Sequence, residues 1–210
     1  MRETGIADVT SEVVGDSEVE ITQALDRHLR SDLVITVGGV SAGDFDLVPK
    51  VLKDRGGTIL FHKVAIKPGK PLLYATLVGA GPRACPDKGG HGEPPLHVFG
   101  LPGNPVSALM VFDQFIRPAL LKMMGARSTQ RPRRKARALE RLRGSEGKED
   151  YLRGLVHYDQ EGYVARSAGS QGSAQLLILS RANATLILPE AKKEIAAGES
   201  VEVEFWEDGA

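Results

Sequence analysis

The sequence predicts an α/β fold with a mainly parallel sheet, followed by a small all-β domain of sandwich or barrel type. Three observations carry that prediction. Residues 7–14 alternate loosely as a strand, residues 17–30 carry a helical stripe, and residues 33–37 form the β-branched run Leu-Val-Ile-Thr-Val. Strand, helix and strand in that order make a parallel pair in a layered sheet. From Lys135 onward the pattern changes to short strands separated by turns, with residues 159–162 (Asp-Gln-Glu-Gly) as a hairpin turn. Between the two regimes, a shift to strongly basic composition over residues 125–137 marks a boundary, which divides the chain into residues 1–127 and 128–210.

The elements follow in order. Ser17 with Glu20 is a capping-box pattern, and Ile21, Ala24, Leu25 and Leu29 are the apolar stripe of the helix it opens. After the 33–37 strand, Leu47, Val48, Val51 and Leu52 outline a short amphipathic helix that Arg55-Gly56-Gly57 ends. Strands are expected at 58–61, 72–77 and 96–101, with a Gly- and Pro-rich loop over residues 79–95. Asn104 is suited to cap a helix whose first residue is Pro105, and Pro118 should kink that helix before Gly125. Further strands are expected at 153–158, 163–166, 184–188 and 201–205.

Composition narrows the function classes. The chain has 210 residues, 41% of them hydrophobic and 26% charged, and a formal net charge of zero. No global field draws it to nucleic acid or to an anionic membrane. The basic stretch at 131–143 reads as a solvated linker and edge strand, because no aromatic residues are interleaved to stack bases. There is no apolar run of roughly 18 residues to span a bilayer, and Met1-Arg2-Glu3-Thr4 lacks the apolar core of a secretory signal. A single cysteine, Cys85, suits a reducing compartment, so a cytoplasmic location is expected.

Three stretches carry candidate chemistry. The 33–37 strand empties into Gly38 and Gly39, then Ser41, Gly43, Asp44 and Asp46, before the next helix. Unpaired N–H groups at the carboxyl edge of a sheet bind phosphate readily, and adjacent carboxylates point to a bridging Mg2+. The alternative is a tight turn whose glycines serve only to reach positive φ. Residues 62–71, His-Lys-Val-Ala-Ile-Lys-Pro-Gly-Lys-Pro, offer Lys63, Lys67 and Lys70 around a rigid turn. On an extended segment Lys63 and Lys67 would share a face and form an oxyanion pocket. The alternative is a solvated edge whose lysines guard against strand pairing. Residues 102–107, Pro-Gly-Asn-Pro-Val-Ser, form a second strand-to-helix junction of the phosphate-binding kind.

Taken together, GGVSAGDFD, KVAIKPGKP and GLPGNPVSAL closely resemble the molybdopterin molybdenumtransferase family, which includes the related domain of gephyrin. The motifs come in the family's order, and SAGSQGSAQL followed by NATLILPE extends the resemblance into the β-rich tail. The resemblance implies a three-layer molybdopterin-binding α/β domain and a small C-terminal β-barrel domain. It implies insertion of molybdate into adenylyl-molybdopterin with release of AMP, assisted by Mg2+. Asp46 would be the catalytic carboxylate and, with Asp44, a metal ligand. Lys63 and Lys67 would be the active-site lysines. Gly38, Gly39, Ser41, Gly43, Lys70, Pro102, Gly103, Asn104, Pro105 and Ser107 would line the pterin-phosphate site. The family carries two further domains ahead of this region and a first strand that this chain lacks, so a C-terminal fragment is expected. Full-length members form homodimers, and a molybdopterin adenylyltransferase is a candidate partner. Two other functions compete: a pterin-binding scaffold without catalysis, and adenylyl transfer to molybdopterin. The β-rich tail argues against the latter.

Overall fold

The computed structural model describes residues 5, 8–40, 46–78, 95–172 and 176–206. In chain order these residues form α1 (Glu18–Arg27), β1 (Leu33–Val37), α2 (Leu47–Asp54), β2 (Thr58–Phe61), β3 (Ile66–Lys67), β4 (Leu73–Leu77) and β5 (Leu96–Leu101). There follow α3 (Pro105–Val111), a π-helical turn (Phe112–Ile116), α4 (Arg117–Met123), β6 (Arg133–Ala138), β7 (Leu142–Arg143) and β8 (Glu149–Asp159). The chain ends with β9 (Gly162–Ser167), α5 (Leu176–Leu179), β10 (Ala184–Leu188), β11 (Glu194–Ile195) and β12 (Ser200–Phe205). Contacts divide it into two compact units: Met1–Val64 with Pro71–Gly103, and Ala65–Lys70 with Asn104–Ala210.

The first unit is an α/β layer. Its sheet has the order β1-β5-β4-β2. Only β1 and β5 run parallel, whereas β4 pairs antiparallel with both β5 and β2. The sheet is therefore mixed, and the parallel character expected from the sequence is confined to one pair. Leu25 of α1 and Val48, Val51 and Leu52 of α2 pack with Leu73, Ala75, Leu77, Leu96 and Val98 of the sheet into one buried cluster. Helix α1 begins with one half of the capping box: Ser17 Oγ accepts from Glu20 N at 3.3 Å, while the Glu20 carboxylate accepts from the Ser17 hydroxyl at 2.6 Å. Over its described residues the strand expected at 7–14 is not formed: residues 8–15 are irregular, and Val13 is fully exposed. Alternation there meets no pairing strand among the described residues, so the period-2 pattern has nothing to bury.

The second unit contains a closed five-stranded barrel, ordered β10-β12-β6-β9-β8 and closed by the β10–β8 pairing. Leu152, Val156, Leu186, Leu188, Val201 and Val203 are in its core. Strand β3 adds to the barrel through a parallel pairing with β8, placing Ile66 opposite Glu149 and Lys67 opposite Asp150. Two expectations change here. Basic strand β6 is not an edge: it lies between β12 and β9. Arg133 pairs with Glu204 of the neighbouring β12 at 2.9 Å, and Arg137 with Asp159 at the end of β8 at 3.0 Å. The helix expected from Pro105 to Gly125 is also interrupted, with a π-helical turn directly before Arg117 and Pro118. Proline supplies no N–H to the carbonyl four residues back, so the ladder widens and restarts.

Candidate functional site

In the first unit, β1 and β5 end side by side, with Val37 opposite Leu101. Beyond them Gly38 N donates to Leu101 O at 2.9 Å. Gly38 and Gly39 have φ of +93° and +67°, the left-handed region that favours glycine. A Cβ on Gly103 would stand 3.6 Å from Gly38 Cα, so the 38–39 and 102–103 turns lie against each other. This is the carboxyl edge of the parallel pair, the place where α/β sheets bind ligands. The turn is braced from behind by two residues that the sequence reading passed over. His62 Nε2 bonds Val40 O at 3.1 Å, and a Cβ on Gly100 would come within 2.5 Å of Val40 Cγ1. Val40 is thus seated over a position that must be glycine.

Asp46 is half-buried and caps α2 in an extended conformation, but its side chain makes no capping hydrogen bond. Ser41, Gly43 and Asp44 lie outside the described residues. Lys63 is exposed and belongs to no strand. Only Ile66–Lys67 of this stretch is extended in a ladder, so Lys63 and Lys67 do not lie on one common strand.

In the second unit, Asn104 caps α3 as expected: its Oδ1 accepts from Val106 N at 3.1 Å and Ser107 N at 3.3 Å. Pro105 takes the first turn, where a missing N–H costs nothing. The Lys67–Pro68 peptide is cis, and Gly69 follows at φ +116°. A Cβ on Gly69 would come within 2.5 Å of Val111 Cγ2, so the 67–70 turn is pressed on α3. That packing buries Pro68 and Gly69 and leaves Lys67 and Lys70 exposed. Lys67 Nζ donates to Ser145 Oγ at 2.9 Å.

The sequence reading also missed Arg153. It is fully buried on β8, opposite Thr185 of β10. Its Nη2 donates to Gly172 O at 3.2 Å, while Nε and Nη1 have no partner among the described residues. Gln171 fixes the backbone beside it, accepting from Arg153 N at 2.9 Å and donating to Arg153 O at 3.1 Å. Burial pulls the guanidinium below its ordinary pKa, yet arginine remains charged at neutral pH. A buried cation with two nitrogens unpartnered among the described residues is costly to the fold. Period-2 reading of Tyr-Leu-Arg-Gly puts Arg153 on the face opposite Leu152, but only the pairing of β8 with β10 shows that this face is closed.

Comparison with known proteins identifies the family. Residues 1–122 match the family model described as "Probable molybdopterin binding domain", and residues 135–206 match the MoeA C-terminal region, domain IV. The chain is 36% identical over 185 residues to gephyrin of Dictyostelium discoideum, covering 84% of this chain and 26% of that protein. It is 34% identical over 192 residues to the molybdopterin molybdenumtransferase of Haemophilus influenzae, covering 90% of this chain and 43% of that protein. It is 36% identical over 209 residues to molybdopterin molybdenumtransferase 2 of Mycobacterium tuberculosis, covering 97% and 47%. The chain belongs to the molybdopterin molybdenumtransferase family. Among solved structures, the moeA protein of Pyrococcus horikoshii OT3 matches with a TM-score of 0.65 at 26% identity, covering 94% of this chain and 41% of that one. The chain therefore spans less than half the length of these relatives. The first family match carries both glycine turns and the lysines, and the second carries Arg153.

Among the described residues no group of three His, Cys, Asp or Glu side chains could hold a metal ion. Nor is any described helix long and apolar enough to cross a membrane.

Proposed function

We propose that this chain contributes to molybdenum insertion: it takes adenylyl-molybdopterin and molybdate and releases AMP and the molybdenum cofactor. The observation that carries the reading is Arg153. A pterin-phosphate fold alone also suits adenylyl transfer, but a buried guanidinium with two nitrogens unpartnered among the described residues of the barrel unit suits a small oxyanion such as molybdate. In this reading the N–H groups at Gly39 and Gly103 hold the pterin phosphate, Gly38 gives the turn its positive φ, and the family resemblance assigns Ser41, Gly43, Pro102, Asn104, Pro105 and Ser107 to the same ligand. Lys63, Lys67 and Lys70 offset oxyanion charge. Mg2+ commonly binds through one or two carboxylates plus substrate phosphates, so Asp46 with Asp44 would hold it and it would neutralise phosphate charge. Homodimerisation and an adenylyltransferase partner belong to the same reading.

The test is direct. The purified chain is incubated with adenylyl-molybdopterin and molybdate, and AMP release is followed. Molybdate-dependent AMP release supports the reading. Retention of the pterin without AMP release favours the second reading, a binding module without catalysis, which the chain's short span relative to its relatives keeps in play.

A further inference from the structure

We infer that Ser145 and Asp150 are positioning residues that hold the Lys67 ammonium ready for an oxyanion. The inference rests on the function proposed above, in which Lys67 contacts the oxyanion. Lys67 is exposed, and a free lysine side chain in water samples many rotamers; fixing it costs entropy at the moment an anion binds. Here it is fixed beforehand. Its Nζ donates to Ser145 Oγ at 2.9 Å. The Ser145 hydroxyl in turn donates to Asp150 Oδ1 at 3.2 Å, and Ser145 N donates to Asp150 Oδ2 at 2.5 Å. With its proton committed to Asp150, the hydroxyl presents lone pairs to Lys67.

The base of this chain is rigid. Asp150 is 1% exposed and sits where β3 and β8 pair, directly opposite Lys67. Glu149 N donates to Ala65 O at 2.9 Å just before it. Gly144 leads into Ser145 with no room for a side chain, since a Cβ there would stand 2.8 Å from Lys192 O, and its N donates to Lys193 O at 2.8 Å. The carboxylate reaches the ammonium through a hydroxyl, so its charge supports the cation while Ser145 takes only one of the three ammonium N–H groups. The arrangement is what a preorganised oxyanion contact needs: charge, fixed position and unused donors.

The experiment is equilibrium dialysis of the chain against molybdate, with thermal midpoints recorded for each variant. The variants are Lys67→Ala, Ser145→Ala, Ser145→Thr, Asp150→Asn and the double variant Lys67→Ala/Ser145→Ala. Lys67→Ala and Ser145→Ala are each expected to weaken molybdate about tenfold, the scale of one hydrogen bond to a charged group. The double variant should be no weaker than Lys67→Ala alone, because Ser145 acts only through Lys67. Ser145→Thr should restore binding, a rescue that loss of packing would not show. Asp150 is buried, so its variant is read only where the midpoint is retained, and the serine variants decide the matter. Should Lys67→Ala weaken molybdate while Ser145→Ala leaves it unchanged, or should the two losses add in the double variant, the positioning role is overturned and the proposed function stands. Unchanged binding in Lys67→Ala overturns the role assigned to Lys67 itself, and the positioning role with it.

Discussion

Strands β1 and β8 show how differently the two units support their loops. Strand β1 pairs only with β5 among the described strands; none of its residues is fully buried, and Val37 at its end is 65% exposed. Strand β8 runs for 11 residues and pairs with β3, β9 and β10, with Asp150, Tyr151, Leu152 and Arg153 all buried. In the proposed function the glycine turns that follow β1 and β5 would work through backbone, which needs space and positive φ more than burial. The charged groups of the second unit would work through side chains held by a closed barrel. Substitutions in the first should therefore alter binding at small cost in stability. In the second, stability and anion binding are coupled, and in one place they should oppose each other.

The largest effect should come from the barrel core. Leu186 is fully buried, so Leu186→Ala should destabilise the second unit by about 2–5 kcal/mol, read as a lowered urea midpoint. A smaller loss is expected at the turn. Gly39→Ala imposes φ +67° on an L-residue and brings a Cβ to 3.1 Å from Val48 Cγ2, so a loss of about 1–2 kcal/mol should appear in the same assay. Gly103→Ala makes only ordinary contact, 3.6 Å from Gly38 Cα, and should leave the midpoint unchanged while weakening pterin binding. Asp46→Ala should cost the fold little, since a charge near a helix start contributes about 0.3–1 kcal/mol. Its effect should fall on AMP release, and there raised molybdate should not rescue it.

These contrasts also show what the sequence could and could not convey. The Asn104 cap, the Ser17 capping box, the stripe of α2 and the five-residue run of β1 were legible because each depends on residues a few places apart. The position of a strand within its sheet was not. The apolar run of β1 reads as buried and lies at an edge, whereas the basic run of β6 reads as an edge and lies inside the barrel sheet, its arginines bonded to Glu202, Glu204 and Asp159. Periodicity records spacing along the chain, but neighbours across a sheet come from elsewhere in it. Arg153 was invisible for the same reason: its burial depends on β10, more than twenty residues away along the chain. The irregular stretch at 8–15 is the converse case, an alternating pattern with no described strand to pair with.

The measurement closest to the central claim is Arg153→Met, assayed for both molybdate affinity and thermal stability. A guanidinium kept buried with unpartnered N–H groups is a burden on the fold, and replacing it with an apolar side chain of similar length removes that burden. The account predicts a midpoint that is unchanged or raised, together with molybdate binding weakened at least about tenfold, as loss of a charge-assisted contact requires. A lowered midpoint with molybdate binding intact would contradict it and make Arg153 part of the scaffold.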